Sequence, residues 1–198
     1  MIGADGVVDA VTARMREPLR EVVGRLREKR GLDVWALPDP AEPEPYMPDV
    51  STLGEFPAIL ISYTGVRQEE ATLTAPEPGV FVETYEFIYD CEVYALCRGT
   101  SRQDTERQTR LYEQALRTVL LSRKNITPEQ VGDGEALHVM PTRVRSTVSD
   151  VVPVRDNRFV SAVVVEVPVK VHERVGSPFP SSGDEQGGNV APVHPAFE

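Results

Sequence analysis

The sequence predicts an α+β domain in which an antiparallel-rich sheet of about four to five strands carries helices on one face. Residues 80–97 and 158–174 alternate apolar and polar side chains, which is the pattern of strands with one buried face. Residues 102–123 instead repeat apolar side chains every three to four positions, as an amphipathic helix does. Together these patterns favour helices laid on a sheet.

The strand predicted at residues 80–97 has apolar or aromatic residues at every odd position except Glu83. Burying each large side chain of this face would stabilise the fold by roughly 1.5–3 kcal/mol, so we predict a central strand. Because Pro76 and Pro78 interrupt the sequence just upstream, the residues before Tyr85 are also compatible with a separate hairpin arm.

The helix predicted at residues 102–123 has a start signal of its own. Gly99 ends the preceding strand, Thr100 or Ser101 caps the helix, and Asp104 lies three residues after Ser101 in capping-box position. The apolar stripe of this helix consists of Leu111, Ala115, Leu116, Val119 and Leu120. We expect this stripe to pack on the sheet.

An N-terminal helix is predicted at residues 5–29. Its apolar residues follow steps of three and four positions, which gives a narrow seam made of Val8, Val11, Met15, Leu19, Val22 and Leu26. Pro18 lies inside this helix and is expected to kink or split it. Gly31 is the expected C-terminal stop. A coiled-coil arm to another chain is the alternative interpretation.

Residues 33–56 have no regular pattern beyond a possible short strand at 33–36, which holds Trp35. Residues 37–56 are rich in proline and acid and predict a long extended loop, which is usually functional or disordered. Residues 57–64 then read as a strand, and residues 65–80 as a protruding hairpin.

The C-terminal third predicts one strand from residue 136 to about 148 and a second at 158–174, joined by a turn at Asp156 and Asn157. Pro168 in the second strand suggests a sheet edge or a bulge. From Gly176 the composition shifts to glycine, proline and serine. We therefore predict one domain at residues 1–175 and a flexible tail at 176–198.

The net charge of −10 is unevenly distributed. Residues 31–97 contain thirteen acids and one base, whereas residues 1–30 contain five acids and seven bases. This distribution argues against a protein that grips nucleic acid through a basic face. It fits a solvated surface, or an acidic surface that meets a basic partner or repels DNA phosphates.

No apolar run reaches the length of about 18 residues that a membrane span needs, and the N-terminus lacks a signal-peptide pattern. We therefore expect a chain that stays in the cytoplasm where it is made, with no membrane partner. Cys91 and Cys97 lie on one strand face about 20 Å apart, too far to form a disulfide.

Catalytic motifs are absent from the sequence: there is no phosphate loop, dinucleotide fingerprint, HExxH or serine elbow. The three histidines lack the spacing of a metal site. Glu86, Asp90 and Glu92 form a carboxylate row that could hold Mg²⁺, but the lysine of a nuclease motif is missing, since Glu166 and Lys170 are four residues apart. We predict no catalytic residue, cofactor or metal, and hence no enzyme.

The order of these segments resembles the tail terminator proteins of long-tailed, siphovirus-type bacteriophages, especially those of actinobacterial hosts. The resemblance covers roughly residues 5–175 and rests on the N-terminal helix, FPAILISYTG, ETYEFIYDCEVYALCRG, TSRQDTERQTRLYEQALRTVLLSR and RFVSAVVVEVPVKVHE. It lies in element order rather than in a diagnostic motif. The long loop and the C-terminal tail exceed the family pattern, which leaves another head–tail connector or head-completion protein of the phage neck as an alternative.

The resemblance implies a virion protein without catalysis, assembled in the host cytoplasm as a ring, normally a hexamer, on the end of the tail tube. Its partners would be copies of itself, the tail tube protein and the head–tail connector or stopper protein, while DNA would pass through without specific binding. Candidate lumen-facing or partner-facing acids are Glu69, Glu70, Glu77 and Glu83, and candidate inter-subunit residues in the tail are Phe179, Val190, Val193 and Phe197. A generic cytoplasmic interaction domain and a metal-dependent enzyme are the other classes that we considered.

Overall fold

A computed structural model describes residues 3–46, 53–77, 80–122, 125–126, 137–140, 143–154 and 156–176. Within these ranges the chain forms two helices and eight strands. Their order is α1 (Gly3–Arg30), β1 (Glu44–Pro45), β2 (Ala58–Glu77), β3 (Val80–Gly99), α2 (Arg102–Ser122), β4 (Asn125–Ile126), β5 (Leu137–Val139), β6 (Arg145–Val148), β7 (Val152–Val154) and β8 (Arg158–Gly176). Both helices pack on one face of the sheet, which confirms the predicted α+β class.

The sheet is organised around three long strands, β2, β3 and β8, which lie side by side and antiparallel. On the far side of β8, the short strands β5, β6 and β7 pair with successive parts of it, and β4 continues the sheet beyond β5. On the far side of β2, the two-residue strand β1 pairs in parallel. Strand β3 is thus central, as predicted.

The core lies between the sheet and the two helices. One face of β3 contributes Tyr89, Cys91, Val93, Ala95 and Cys97, and the same face of β8 contributes alternate valines from Val163 to Val171. The predicted apolar residues of both helices are buried against them. On the other face, a small second cluster contains Ala58, Leu60 and Leu96. The helix-bearing face therefore holds most of the buried apolar surface.

The junction between β3 and α2 follows the predicted capping pattern. The backbone N–H of Asp104 donates to Oγ of Ser101 at 3.1 Å, and the Ser101 hydroxyl donates to the Asp104 carboxylate at 2.6 Å. Gly99 sits against the first helical turn, where an added Cβ would lie 2.4 Å from Oγ1 of Thr105. A residue without a side chain is thus required where the strand passes into the helix.

Helix α1 runs through Pro18 instead of splitting there, contrary to one of the two outcomes expected from the sequence. Met15 and Leu19 on either side of the proline are fully buried. Packing of this continuous seam outweighs the lost backbone hydrogen bond. Gly31 ends the helix with a positive φ of 60°, as expected for a C-terminal stop.

The short strand predicted at residues 33–36 is wrong, because this segment is a turn. The carboxylate of Asp33 accepts a hydrogen bond from the backbone N–H of Ala36 at 2.7 Å, and the backbone N–H of Leu37 donates to the Asp33 carbonyl at 3.2 Å. An aspartate that bonds the backbone ahead of it in this way favours a turn over a strand.

The hairpin predicted at residues 65–80 is part of a larger one. Strand β2 continues without a break from Ala58 to Glu77 and pairs with β3 from Val80 to Leu96. The alternation of apolar and polar residues along β2 is interrupted because its pairing register with β3 shifts at three places. These lie between Tyr63 and Gly65, between Gln68 and Glu70, and near the tip of the hairpin. Each shift is a β-bulge or similar irregularity that reverses which residues face the helices.

The single strand predicted from residue 136 to about 148 is also wrong, because β5 and β6 are separate strands. They flank Pro168 of β8: β5 pairs with Val169 to Val171 and β6 with Val163 to Glu166. Strand β8 is therefore no edge strand, and its proline sits where neither short strand needs an N–H donor. Asp156 and Asn157 have positive φ angles of 61° and 53°, as the predicted turn requires.

The acidic loop predicted at 37–56 is anchored to α1 in its first part. Asp39 contacts Arg27 at 2.6 Å, and Glu42 contacts both Arg16 at 3.0 Å and Arg20 at 3.3 Å. These acids are thus paired within the chain. Residues 47–52, and the tail from residue 177 with its four candidate residues Phe179, Val190, Val193 and Phe197, lie outside the described residues.

Candidate functional site

The most distinctive feature of the structure is a three-stranded arm, which we define as residues 65–77 of β2, 80–90 of β3 and 168–176 of β8. Among the residues whose burial the structure describes, those buried against the helices extend along these strands as far as Tyr89 and Val171. Strand pairing nevertheless continues to Val82 with Gly176 and to Glu77 with Val80. At about 3.3 Å per residue, residues 80–86 reach roughly 20 Å beyond the helix layer.

Aromatic side chains run along the helix-bearing face of the arm. The rings of Tyr85 and Phe87 lie 5.9 Å apart, those of Phe87 and Tyr89 6.3 Å, and those of Tyr89 and Tyr63 6.1 Å. Tyr89 is buried, whereas Tyr63, just before the arm, and Val66, at its start, are exposed by 37% and 48%. This aromatic face therefore starts in the core and emerges onto the surface.

All four candidate acids lie on the arm. Glu69 pairs with Arg143 at 3.2 Å and is the only one of the four whose side chain is described. On the backbone, Glu70 is opposite Glu86, and Glu83 lies between Leu73 and Val175. Glu77 closes the hairpin opposite Val80. All four therefore belong to one element by backbone position, while their shared surface stays a prediction, and Glu69 already has a partner within the chain.

The outer edge of the arm does not suit the addition of another strand. Strand β1 pairs with β2 at Leu60 and Ile61, and within the described ranges nothing else pairs with this edge. Two register shifts and the charged residues Arg67, Glu69 and Glu70 lie along its open part. Bulges and edge charges are devices that prevent strand-to-strand association, so a partner would meet side chains here instead.

An open cleft of about 400 Å³ lies where the arm joins the rest of the sheet, on the face opposite the helices. It is lined by charged side chains of both signs. Arg67 pairs with Asp90 at 2.5 Å, and Arg143 with Glu69 at 3.2 Å. Glu92 and Glu166 are direct neighbours across β3 and β8. Because the exposed ion pairs neutralise one another, the cleft offers no strong field for an anion or a cation.

A cluster further along this face joins Glu86 to Lys170 and His172. The Glu86 carboxylate contacts Nζ of Lys170, and its other oxygen lies 3.8 Å from Nδ1 of His172. The rings of His172 and His138 meet edge to face at 6.3 Å. Across the described ranges, no group of three or more histidine, cysteine or acidic side chains could hold a metal ion. Glu86 therefore serves as an ion-pair partner across the arm.

The thiols of Cys91 and Cys97 and the buried phenol of Tyr112 are protonated and therefore weak nucleophiles. Burial raises the pKa of Cys91 and of Cys97 to about 12, so both remain protonated at neutral pH. Burial likewise raises the pKa of Tyr112, whose hydroxyl donates to the Pro38 carbonyl at 2.6 Å. None of the three is an activated nucleophile.

A second exposed feature lies in the turn that follows α1. The side chain of Trp35 is 87% exposed and that of Val34 is 55% exposed. The amide of Gln108 in α2 donates to the Trp35 carbonyl at 3.4 Å, which ties the turn to the first half of this helix. A strand had been predicted here, so the sequence did not reveal this site. The sequence feature that could have indicated this site is the turn-forming Asp33 close to Trp35, the only tryptophan of the chain.

The Trp35 turn and the arm lie at opposite ends of the molecule. Arg14 near the middle of α1 donates to the Val119 carbonyl near the end of α2, and the turn after α1 reaches Gln108 in the first half of α2. That half follows directly on Gly99, the end of β3 remote from the arm tip at Val80. One chain therefore cannot bring these two surfaces together.

The helices and the β2–β3 hairpin also differ in charge. The helices α1 and α2 contain eleven basic and eight acidic residues, whereas β2 and β3 contain two basic and seven acidic residues. The helix layer is thus mildly positive and the hairpin strongly negative.

Comparison with models of known protein families and with curated proteins gives no match to this chain. No helix within the described ranges is both long enough and apolar enough to cross a membrane.

Proposed function

We propose that this chain is a structural virion protein that forms a ring on the end of a phage tail tube. The ring would stop tube polymerisation and present a surface to the head connector. The observation that carries this proposal is the arm, whose paired strands extend roughly 20 Å beyond the last described residues that are buried against the helices. A projecting, bulged and acidic element of this kind is suited to contact with neighbouring chains.

The unlike ends of the molecule support a ring rather than a symmetric dimer. When the arm end of one copy meets the helix end of the next, the contact joins two different surfaces. Head-to-tail contacts of this kind either close into a ring or grow into a filament. A closed ring leaves no free end for further growth, which is the property that a terminator needs.

The acidic arm supports a passage for DNA without binding. Glu69, Glu70, Glu77 and Glu83 carry like charge to the phosphates, so a lumen lined by them would repel the duplex and let it slide. Reversing these four charges to lysine should therefore slow DNA ejection from assembled phage. Normal DNA ejection from such particles would contradict the proposal that these acids line the lumen. It would not contradict the proposal that the protein forms a ring.

The deciding experiment measures the mass of the purified protein with and without tail tube protein. A hexamer alone, or a monomer that tube ends convert into a sixfold ring, is the expected result. The matched variant replaces residues 69–86 by Asn-Gly, which joins the paired residues Gln68 and Phe87 by a tight turn. This shortened variant should fold, remain monomeric and leave tubes uncapped.

A wild-type protein that stays monomeric in the presence of tubes would overturn the proposal. So would a shortened variant that still forms rings, because the arm would then play no part in assembly. If the rings bind the head connector but do not bind tube ends, the protein would be another component of the phage neck and not a tail terminator.

A further inference from the structure

The sheet face opposite the helices is apolar at the end remote from the arm. At its β2–β3 side, Leu53 and Phe56 pack on Ala58, Leu60 and Leu96. At its β8 side, the apolar side chains are partly or fully exposed. We define the outer patch by the side chains of this second group, which come from β3, β7 and β8: Tyr94, Val152, Val154, Val160, Ala162 and Val164.

Strand pairing places the side chains of the outer patch on one surface. Val152 is opposite Val160 across β7 and β8, and Tyr94 is opposite Val164 across β3 and β8. Directly opposed residues of antiparallel strands lie on the same face of a sheet. Val152 and Val154 are exposed by 50% and 43%. An exposed apolar cluster of this kind is a candidate binding surface.

The distance between the end of β8 and the outer patch follows from the strand itself. Strand β8 ends at Gly176, where its backbone pairs with Val82 near the tip of the arm. Val164 and Val160 lie 12 and 16 residues before Gly176 along the same strand. At about 3.3 Å per residue, these positions are roughly 40 and 53 Å from its end.

The tail, residues 177–198, continues the chain from this point and is long enough to return to the outer patch. Val190, Val193 and Phe197 follow the end of β8 by 14, 17 and 21 residues. Extended chains of these lengths span about 46, 56 and 69 Å, so all three residues can reach the patch. Phe179 follows the end of β8 by only three residues and reaches about 10 Å, which is too short.

The charges at the far end of the outer patch fit this direction of the tail. Arg98 is opposite Val160 across β3 and β8, and Arg158 precedes Val160 by two residues, so both arginines lie on the face of the patch. Both are exposed, and neither forms an ion pair with another described residue. Glu198 follows Phe197 directly, so its carboxylate would meet basic side chains here.

We propose that residues 190–198 fold back along β8 and dock on the outer patch of the same chain. The valines and the phenylalanine of this segment would cover the valines of the patch, and removing this apolar surface from water supplies the free energy of docking. Docking within one chain needs no second molecule, because the tether keeps the segment at a high effective concentration near the patch. The inference concerns the single chain and is independent of the proposed function.

The buried thiols make a selective test possible. Cys91 and Cys97 are the only cysteines of the chain, and burial raises the pKa of both to about 12, so a cysteine introduced into the tail reacts alone. A nitroxide spin label is attached to Ala191→Cys in the full-length protein, and the paramagnetic broadening of backbone amide signals is recorded by NMR. We expect the amides of Val152 and Val160 to be broadened severalfold more than that of Phe87 in the arm. A tail that stays undocked would instead broaden the arm around Gly176 most, and this result would overturn the inference.

Two exposed valines give matched variants for the patch. Val152→Glu places a charge in the outer patch, and Val34→Glu places the same charge in the turn after α1, where the side chain is 55% exposed. Both variants should fold because neither side chain is buried. Val152→Glu should reduce the broadening at Val160 severalfold, whereas Val34→Glu should leave it unchanged. Equal broadening at Val160 in both variants and in the parent protein would refute the docking site.

The tail offers a second matched pair that changes no described residue, so it remains informative if a patch variant unfolds. Phe197→Ser removes the largest apolar side chain of the docking segment, and Phe179→Ser makes the same change where the tail cannot reach the patch. The first should reduce the broadening at Val160 severalfold, and the second should not change it. Equal effects of the two substitutions would contradict the docking.

A mixed sample shows on which chain the tail docks. Spin-labelled protein without isotope is mixed with nitrogen-15-labelled protein that carries no spin label. We expect no broadening at Val160 in this mixture. Broadening there would show that the tail docks on a neighbouring copy, which overturns docking within the chain. Ring formation on tube ends is measured separately, so failure of the docking and failure of the proposed function are distinguishable.

Discussion

The two halves of strand β3 have the same alternating sequence and different surroundings. In the inner half, Cys91, Val93 and Ala95 are covered by the helices and buried. In the outer half, Tyr85 belongs to the same face but lies beyond the helix layer and is only partly buried. Alternation thus identifies a strand and its apolar face, whereas the neighbouring elements decide whether this face becomes core or surface.

The largest difference between the halves should be in stability. Leu116 of α2 is fully buried over the inner half, so Leu116→Ala should lower the free energy of unfolding by about 2–5 kcal/mol. Val66→Ala on the arm, where the side chain is 48% exposed, should change it by less than about 0.5 kcal/mol. Urea unfolding of both variants measures this; similar losses would mean that the arm is packed like the core.

A smaller effect is expected at the inner end of β3. Gly99→Ala would place its Cβ 2.4 Å from Oγ1 of Thr105, so we expect a loss of about 1–3 kcal/mol from overpacking. Adding Thr105→Ala removes the clashing atom and should recover part of this loss. If the double variant is no more stable than the sum of the single changes predicts, the close approach is not the cause.

Both cysteine thiols lie in the inner half of β3, and their ionisation should make the free energy of unfolding depend on pH. Their pKa is raised to about 12 in the folded chain, so the folded state holds these protons above pH 8.5, where an unfolded thiol starts to lose them. Stability from the thiols is therefore complete below pH 8.5 and declines as the pH rises toward 12. At pH 9.5 the loss should be about 1 kcal/mol per thiol.

The control for this prediction is the double variant Cys91→Ala and Cys97→Ala. It shares every other titrating group, so its unfolding free energy should fall less steeply than that of the wild type between pH 8 and pH 10. Parallel pH profiles for the two proteins would show that the thiols ionise equally in both states.

The smallest effect is expected on the arm. Glu86→Gln removes the charge that faces Lys170 and His172, and these side chains are partly exposed, so the global free energy should change by less than about 1 kcal/mol. Hydrogen exchange should nevertheless speed up at arm amides and remain unchanged at inner residues such as Val93. Uniformly faster exchange would show that the arm and the body unfold as one unit.

The sequence predicted the elements with strong local signals. The period of β3 and β8, the seam of α1 and the Ser101 cap of α2 each depend on residues close together in the chain. The bulges of β2 and the break between β5 and β6 could not be predicted, because both depend on pairing with a distant strand.

The role of the candidate acids stays a prediction. Glu69, Glu70, Glu77 and Glu83 were named together with the resemblance, and the strand pairing places all four on the arm. Neither the exposure of Trp35 nor the emergence of the aromatic face from the core could be inferred, because both depend on where the helices end over the sheet.

Strand pairing also sets how the arm should respond to a pull along its length. Strands β3 and β8 stay in register from Val82 to Gly99 without a shift, whereas the register between β2 and β3 shifts at three places. Hydrogen bonds between antiparallel strands lie across the strand direction, so tension along the arm loads the unshifted β3–β8 bonds simultaneously. Under such a pull the bulged strand β2 would yield first, and the β3–β8 pair would bear the load.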